Sequence, residues 1–321
     1  MAPGRPPRIA LAIDDLDWHA RSLLRAFAAA GAPATALRLG DCAFDTTAPD
    51  GLRLPGFEAL PDAVLVRAIS GGTFEEVTRR LGILHALRER GVPVWNDARA
   101  IERCVDKSMT SFLLAAAGLP TPPTWAVEGR EAAAALVARE AAVGPLVLKP
   151  LFGGQGRGLR LIEAPEALPQ AAEVGGIYYL QRFVPTGVAT GFADHRVFVC
   201  DGVAIAGMTR RAETWITNIR RGGTPETLQP DPELEGLAVR AAACVGADYA
   251  GVDLLRDRDG RALVLEVNSM PGWRGLQRVT PDRVAARIAG ALLRRLDRES
   301  AYPAEPVRSG RLFAGHDAGA S

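Results

Sequence analysis

The segment Gly251–Gly272 reads GVDLLRDRDGRALVLEVNSMPG. Two apolar runs flank the turn signal DRDG, which predicts an antiparallel hairpin. Glu266 and Asn268 stand two apart on the second strand and so point to one face. If Asp257 faces Gly260 across the turn, Asp253 falls opposite Val264, beside Glu266, and all three oxygen-bearing side chains share that face. A one-residue slip would send Asp253 to the other side. Two carboxylates and an amide on an apolar sheet are costly to bury without a partner. A hard divalent cation is such a partner, and magnesium takes one or two carboxylates together with waters and phosphate oxygens. The plain alternative is that Glu266 and Asn268 end an exposed strand; their neighbours Val264, Leu265 and Val267 give little reason for a lone Glu there.

Upstream, Val147–Leu161 reads VLKPLFGGQGRGLRL. Of 38 Lys and Arg residues only Lys107 and Lys149 are lysine, so 36 are arginine. Bias toward GC-rich codons explains the arginines, not the two exceptions. Gly153, Gly154, Gly156 and Gly158, with Gln155 among them, form no phosphate loop of the G-x-x-x-x-G-K-[ST] kind, and they open a strand where a dinucleotide fingerprint would open a helix. They read either as a mobile turn or as a flexible hairpin whose backbone N–H groups close over phosphates. Arg210 and Asn218 lie between this loop and the acidic hairpin. For one Arg among so many, a solvated surface position is the default.

The bulk numbers set the frame. A chain of 321 residues with 48% hydrophobic and 23% charged residues is ordinary for a globular protein of two or three domains. A net charge of +1 gives no electrostatic case for nucleic acid or an anionic membrane. Cys42, Cys104, Cys200 and Cys244 have no C-x-x-C spacing and read as free thiols in a reducing cytoplasm. The N-terminal run Ile9–Ile13 is too short for a signal-peptide core, and no apolar segment approaches a membrane span.

From Arg8 to Asn96 short apolar runs alternate with amphipathic ones, which predicts an α/β domain with a parallel sheet covered on both faces. Ligands of such domains bind beyond the carboxyl ends of the strands, where Asp14, Asp15, His19, Arg67 and Ser70 fall. A helix is expected from about Ala98 to Ala117, another near Arg130 to Ala142, then strands and the glycine cluster. IYYLQRFV reads as a strand and HRVFVCDGVAIAGMTR as a hairpin turning at its DG. A helix from Pro232 to Val245, the acidic hairpin and a last helix from Asp282 to about Leu296 follow. Beyond Arg298 a Pro-, Gly- and Ser-rich tail is expected to be disordered.

The order of these parts resembles the ATP-grasp superfamily: a lysine on a helix, a lysine on a strand before a glycine hairpin, QRFV, DHRVFV, an arginine, TNIRRGG, GVDLL and LEVNSMPG. Within it the chain is most similar to the RimK-type glutamate ligases, from about Arg8 to Arg298. The resemblance implies an α/β (α+β) ATP-grasp fold behind a parallel-sheet domain. Its divisions would be 1–96, 97–184 with the glycine loop, 185–298 with the metal site, and a tail over 299–321. It makes Lys107 and Lys149 the ATP phosphate lysines and Gly153–Gly158 the loop over the phosphates. Arg182 and Phe183 would offer backbone to the adenine edge, Asp194 a ribose contact, Asn218 a nucleotide contact, and Arg210 would steady the transferred phosphate. Asp253, Glu266 and Asn268 would hold two Mg2+ ions, which Mn2+ can replace.

There are departures. Arg182 stands where the hinge commonly has Glu, the loop before Asp194 is longer, and Ile216 replaces an arginine found in ligases that modify a ribosomal protein. DDLDWHARSL and NSMPGWRGLQ look closer to relatives that add glutamate to a tetrahydromethanopterin-type pterin. The implied reaction joins L-glutamate to a small-molecule acceptor through an acyl phosphate, with His19, Arg67, Ser70 and Arg274 as carboxylate holders. The expected setting is a cytoplasmic homo-oligomer without nucleic-acid or membrane partners. A ligase for another amino acid or peptide, or an ATP-binding regulator without turnover, are the rival readings.

Overall fold

The computed structural model describes residues 5–154, 156–186 and 191–301. Its first part contains β1 (Ile9–Ala12), α1 (Trp18–Ala29), β2 (Ala34–Leu37), the short pair β3 (Ala43–Phe44) and β4 (Leu52–Arg53), β5 (Ala63–Val66), α2 (Phe74–Glu89) and β6 (Val94–Trp95). The main strands form a parallel sheet in the order β2-β1-β5-β6. Every residue of β1 and β5 is buried, as an uninterrupted apolar run requires. Leu23 and Phe27 of α1 cover one face with Ile9, Leu11 and Leu65; Ile83, Leu84 and Leu87 of α2 cover the other with Ala10, Val64 and Val66. The caps fix where the helices begin: the Asp17 carboxylate accepts from the Ala20 N–H, and Thr73 with Glu76 forms a capping box.

The middle part holds α3 (Ala98–Val105), α4 (Lys107–Ala116), β7 (Thr124–Glu128), α5 (Arg130–Glu140), β8 (Leu146–Lys149), β9 (Arg160–Ile162) and β10 (Ile177–Arg182). Its antiparallel sheet runs β7-β10-β8-β9. Two features differ from the sequence expectation. The single helix expected from Ala98 to Ala117 is broken at Asp106, whose backbone is extended and whose carboxylate accepts from the N–H groups of Ser108 (2.8 Å) and Met109 (3.2 Å). Asp106 thereby starts a second helix, and Lys107 is its first residue instead of a mid-helix one. β7 was not expected so soon after Pro120, Pro122 and Pro123; it is tolerated because it lies at the sheet edge.

The last part contains β11 (Phe192–Cys200), β12 (Val203–Ala212), β13 (Thr224–Thr227), α6 (Pro232–Val245), β14 (Tyr249–Arg256), β15 (Ala262–Asn268) and α7 (Val284–Ala301). The antiparallel sheet order is β13-β12-β11-β14-β15. β11 and β12 turn at Asp201-Gly202, where both residues have positive φ, as the DG signal requires. α7 continues to Ala301, past the expected end near Leu296; residues 302–321 of the expected tail lie outside the described residues. All four cysteines are free thiols. Among the described residues no helix is long and apolar enough to cross a membrane.

The first and last sheets share a core. Ile9, Leu11 and Phe27 pack in one cluster with Phe198, Tyr249, Trp273, Ile288 and Leu292, so α7 closes over the N-terminal domain. The polar fastening is Asn96, fully buried at the end of β6. Its Nδ2 donates to the Tyr249 and Ser269 carbonyls (2.7 and 2.6 Å), and its Oδ1 accepts from the Asp248 and Tyr249 N–H groups (2.6 and 3.2 Å). Tyr249 adds a hydrogen bond from its hydroxyl to the Val66 carbonyl. Asn96→Ala leaves several buried backbone groups unpaired, at about 1–3 kcal/mol each. A loss of at least about 2 kcal/mol is expected in denaturant titration; an unchanged midpoint would refute the fastening.

Beside it, burial pushes the Asp248 carboxyl up to about 7, although Arg295 and Arg88 oppose the shift. The folded protein therefore holds a proton that the unfolded chain releases near pH 4. Stability is expected to fall as pH rises from about 4 to about 7. Asp248→Asn should flatten that slope and raise the melting temperature at pH 8, as thermal unfolding across pH will show.

Candidate active site

The acidic hairpin decides the site, by a route the sequence did not show. Near the turn Leu254 pairs with Val264 and Arg256 with Ala262, a register one residue away from the expected one. Continued, it would put Asp253 opposite Leu265 and on the wrong face. A β-bulge between Asp253 and Leu254 absorbs the extra residue, so Asp253 pairs directly with Glu266 and Gly251 with Asn268. Parity is restored, and Asp253, Glu266 and Asn268 share a face. The sequence expectation reached the right face with the wrong partners.

Cross-strand pairing carries that face across the sheet. Asp194 pairs with Arg210, and Arg196 with Asp253. Arg196 grips Asp253 through Nε and Nη2, both at 2.7 Å. Arg210 reaches Asp253 Oδ2 at 3.2 Å and holds Asp194 through Nε at 2.7 Å and through Nη2. The result is an alternating chain, Arg196–Asp253–Arg210–Asp194, in which Arg210 is 3% and Asp253 6% exposed. Burial alone would raise the Asp253 carboxyl, but the two guanidiniums overcome it and hold Asp253 well below the usual carboxylate range. Arg196 was not singled out from the sequence, although it lies in DHRVFV. Its signal is its place two residues after Asp194, on the same face.

Glu266 has no hydrogen bond or ion pair among the described residues. Asn268 donates to the Gly251 carbonyl (3.3 Å). No three His, Cys, Asp or Glu side chains converge on a metal position among the described residues. The oxygen donors are thus two carboxylates and an amide, a set that leaves most of a metal's sphere to waters and phosphates and so fits magnesium carried with a nucleotide.

The two lysines face the same space. Lys107 donates to the carbonyls of Leu151 (3.2 Å) and Gly153 (2.7 Å) in the glycine loop. Lys149 donates to Gln181 Oε1 (2.6 Å), and Gln181 Nε2 in turn donates to Thr124 Oγ1 (3.2 Å). Gln181, a positioning residue for Lys149, was also missed. Burial lowers both lysine pKa values, with Glu266 opposing. Among the described residues neither ammonium has a salt bridge, and a cation taken wholly or half out of water without a counter-ion calls for an anionic ligand.

Gly153, Gly156 and Gly158 all have positive φ. A Cβ on Gly156 would lie 2.5 Å from Asn218 Oδ1, so the loop rests directly on Asn218. Gln155 lies outside the described residues, as do 187–190 in the loop before Asp194. At the other end of the cleft, Phe183 and Trp215 meet edge to face with centroids 6.0 Å apart, and Val147, Leu255 and the bulge residue Leu265 line the wall. The N–H groups of Arg182 and Phe183 already donate to the carbonyls of Pro123 and Pro145. Val184, one residue further, lines the cleft with an N–H that makes no hydrogen bond among the described residues. The Arg182 side chain turns away to Glu140 and the Gly144 carbonyl, closing the end of α5.

A chamber of about 1270 Å3 opens next to the cleft. Lys107, Arg196, Arg210, Asn218, Glu266 and Asn268 line both spaces. Of the rim residues expected from the sequence, His19, Arg67 and Arg274 line the chamber, while Ser70 instead donates to Asp14. Asp14 and Asp15 line a separate hollow with Arg38 and Asp41. His19 is engaged on both sides, with Asp17 at Nδ1 (2.8 Å) and the Trp273 N–H at Nε2 (3.1 Å). Accepting at Nε2, it is a neutral imidazole bracing the loop after β15, and burial keeps its pKa low.

A buried and a half-buried lysine, a face with two carboxylates and an amide, and an adjoining chamber define a nucleotide-dependent enzyme of the ATP-grasp type. The ATP-grasp ligase PsnB, solved with a minimal precursor, Mg and ADP, shares the fold: its TM-score is 0.69 at 24% identity, over 90% of this chain and 96% of that one. The RimK-like ATP-grasp domain matches residues 104–292, and the chain belongs to that family. It is 36% identical over 231 residues to a tetrahydromethanopterin:alpha-L-glutamate ligase of Methanococcus maripaludis, covering 70% of this chain and 76% of the relative. A protein of the same name from Methanosarcina acetivorans is 31% identical over 309 residues, 84% of this chain and 93% of that one. The chain is therefore an ADP-forming ligase that uses ATP and a divalent metal. Glu266→Gln is expected to lower ATP-dependent ligation by about 10²-fold or more with the fold kept; a variant with wild-type turnover would remove Glu266 from the metal face.

Proposed function

We propose that the chain adds L-glutamate to a small-molecule acceptor, a tetrahydromethanopterin-type pterin, through an acyl phosphate. The observation that carries this is the junction: Lys107, Arg210, Glu266 and Asn268 face the cleft and the chamber at once. A phosphate at the end of a nucleotide in the cleft would therefore meet a carboxylate held in the chamber. The names of the relatives from Methanococcus maripaludis and Methanosarcina acetivorans supply the acceptor class and the amino acid.

In this reading the carboxylate oxygen of the acceptor attacks the γ-phosphorus and ADP leaves with the bridging oxygen. Lys107 and Lys149 bind phosphate oxygens, and Lys107 would exchange the Leu151 and Gly153 carbonyls for them, so that nucleotide arrival resets the glycine loop. Arg210, held in place by Asp194, faces the charge that develops on the transferred group, a fixed cation of the kind that contributes about 10²-fold or more in rate. Two magnesium ions, for which manganese can substitute, would supply Lewis-acid stabilisation at Asp253, Glu266 and Asn268. Asp194 would release one oxygen to the ribose. The glutamate amine then attacks the acyl carbon, the C–O bond breaks and phosphate departs.

We further assign units 1–96, 97–184 and 185–298, a cytoplasmic setting, a homo-oligomeric state, and no nucleic-acid or membrane partner. The test is ADP release by the full chain with magnesium and ATP. Release is expected only when glutamate and a tetrahydromethanopterin-type acceptor are both present. Release with a different amino acid would overturn the glutamate assignment, and none under any mixture would favour a regulator without turnover.

A further inference from the structure

The chamber holds more positive charge than one carboxylate needs. Arg220, Arg274 and Arg278 line it without lining the nucleotide cleft. None of the three has an ion pair or a side-chain hydrogen bond among the described residues. Some surface arginines of the protein are paired with acids, Arg53 with Asp45, Arg160 with Glu173, Arg211 with Glu226 and Arg256 with Asp231; these three converge on one chamber without such a partner. The acids that line the chamber, Asp17 and Glu266, do not answer these three. Asp17 is taken by His19 and lies 3.6 Å from Arg67, and Glu266 belongs to the junction.

Nor are Arg274 and Arg278 on a loose loop. Trp273 and Leu276, the anchors of their segment, are both fully buried. Gln277 fastens the same segment to the start of α7, donating to the Asp282 carbonyl (2.7 Å) and accepting from the Val284 N–H (3.2 Å). Arg220 follows Ile219, whose Cδ1 fills the space above Gly275, where a Cβ would come within 2.2 Å. The two segments are thus seated against each other, and ordering these guanidiniums around a ligand requires little backbone adjustment. The chamber volume of about 1270 Å3 exceeds the roughly 300–1,000 Å3 of common ligand pockets, room for an extended acceptor beside an amino acid.

We infer that Arg220, Arg274 and Arg278 form an anion subsite that selects acceptors carrying at least one anionic group, carboxylate or phosphate, beyond the carboxyl that is activated. The inference rests on the ligase reading for which end of the acceptor reacts. It adds a requirement on the other end: a neutral-tailed acceptor is a poor ligand, and each added negative charge within reach of the subsite tightens binding. Guanidinium suits either anion bidentately. Because the three residues are exposed, the gain is screened by salt.

The test is a binding series by equilibrium dialysis on the full chain with Mg2+ and ADP present, so that no turnover intervenes. The probes are N-acetyl-L-alanine, N-acetyl-L-glutamate and N-acetyl-α-L-glutamyl-L-glutamate, carrying one, two and three carboxylates, with N-acetyl-O-phospho-L-serine as the phosphate arm. At low salt the dissociation constant is expected to fall at least tenfold from the first probe to the third. A preference between the phosphoserine and glutamate probes names the anion. Replacing Arg220, Arg274 and Arg278 together by Gln should make the probes bind alike, and replacing them by Lys should restore part of the gradient; ADP affinity reports folding in each variant. A flat series in the wild type, or a gradient that survives the Gln replacements, overturns the subsite. ADP release that fails with every acceptor would remove the ligase reading and leave the binding gradient intact, whereas active turnover with a flat gradient would remove the subsite alone.

Discussion

Asp253 has a guanidinium on either side of it, and the active site depends on that arrangement. A buried carboxylate is expensive unless its charge is met in good geometry. Arg196 meets it with two parallel hydrogen bonds and Arg210 with a third contact, while Asp194 balances Arg210 in turn. The chain of four charges is neutral as a whole. It needs β11, β12 and β14 to pair in one register, because Asp194–Arg210 and Arg196–Asp253 are cross-strand pairs and Arg210 reaches Asp253 from one strand further away. Electrostatics and strand register thus enforce each other, and the bulge beside Asp253 brings Glu266 of β15 to the same face.

The ligand-binding groups are built on the opposite rule. Lys107 and Glu266 at the junction, and Lys149 in the cleft beside it, stand without full compensation by the protein. The lysines hold only neutral oxygens, from carbonyls and an amide, at 2.6 to 3.2 Å. Neutral partners keep such a cation in place without cancelling its charge, so its attraction for phosphate persists. A neutral scaffold carrying unneutralised tips is the electrostatic form of preorganisation: the dipoles and charges need not reorganise when the nucleotide arrives. Asn96 serves the scaffold from the other side, tying the N-terminal sheet to the first residues of β14 and to the loop after β15.

Local signals were readable wherever local chemistry decides. The parallel sheet followed from its continuous apolar runs, α6 from Pro232 and the apolar spacing behind it, and the β11–β12 turn from its DG. Lys107 and Lys149 stood out as the only lysines. What escaped was set by context. Asp106 breaks a helix that periodicity alone continues, because its side chain competes for N–H groups two and three residues ahead. β7 follows a proline-rich run that is acceptable only at a sheet edge. Arg196 and Gln181 look like any polar residue on a strand until their partners Asp253 and Lys149 are brought to them from 57 and 32 residues away.

The sequence by itself determined which residues stand out and in what order: two lysines, a glycine loop, an arginine, and two carboxylates with an amide on one face. Period-two alternation and residue type are local properties, so they survive without coordinates. Tertiary structure alone decided the pairing. It set the bulge that puts Asp253 opposite Glu266, the two guanidiniums that hold Asp253, the free N–H of Val184 in the cleft wall, and the meeting of cleft and chamber at Lys107 and Arg210. These depend on distances between segments far apart in the chain, and only the competition among all the strand registers and buried charges selects one set of them.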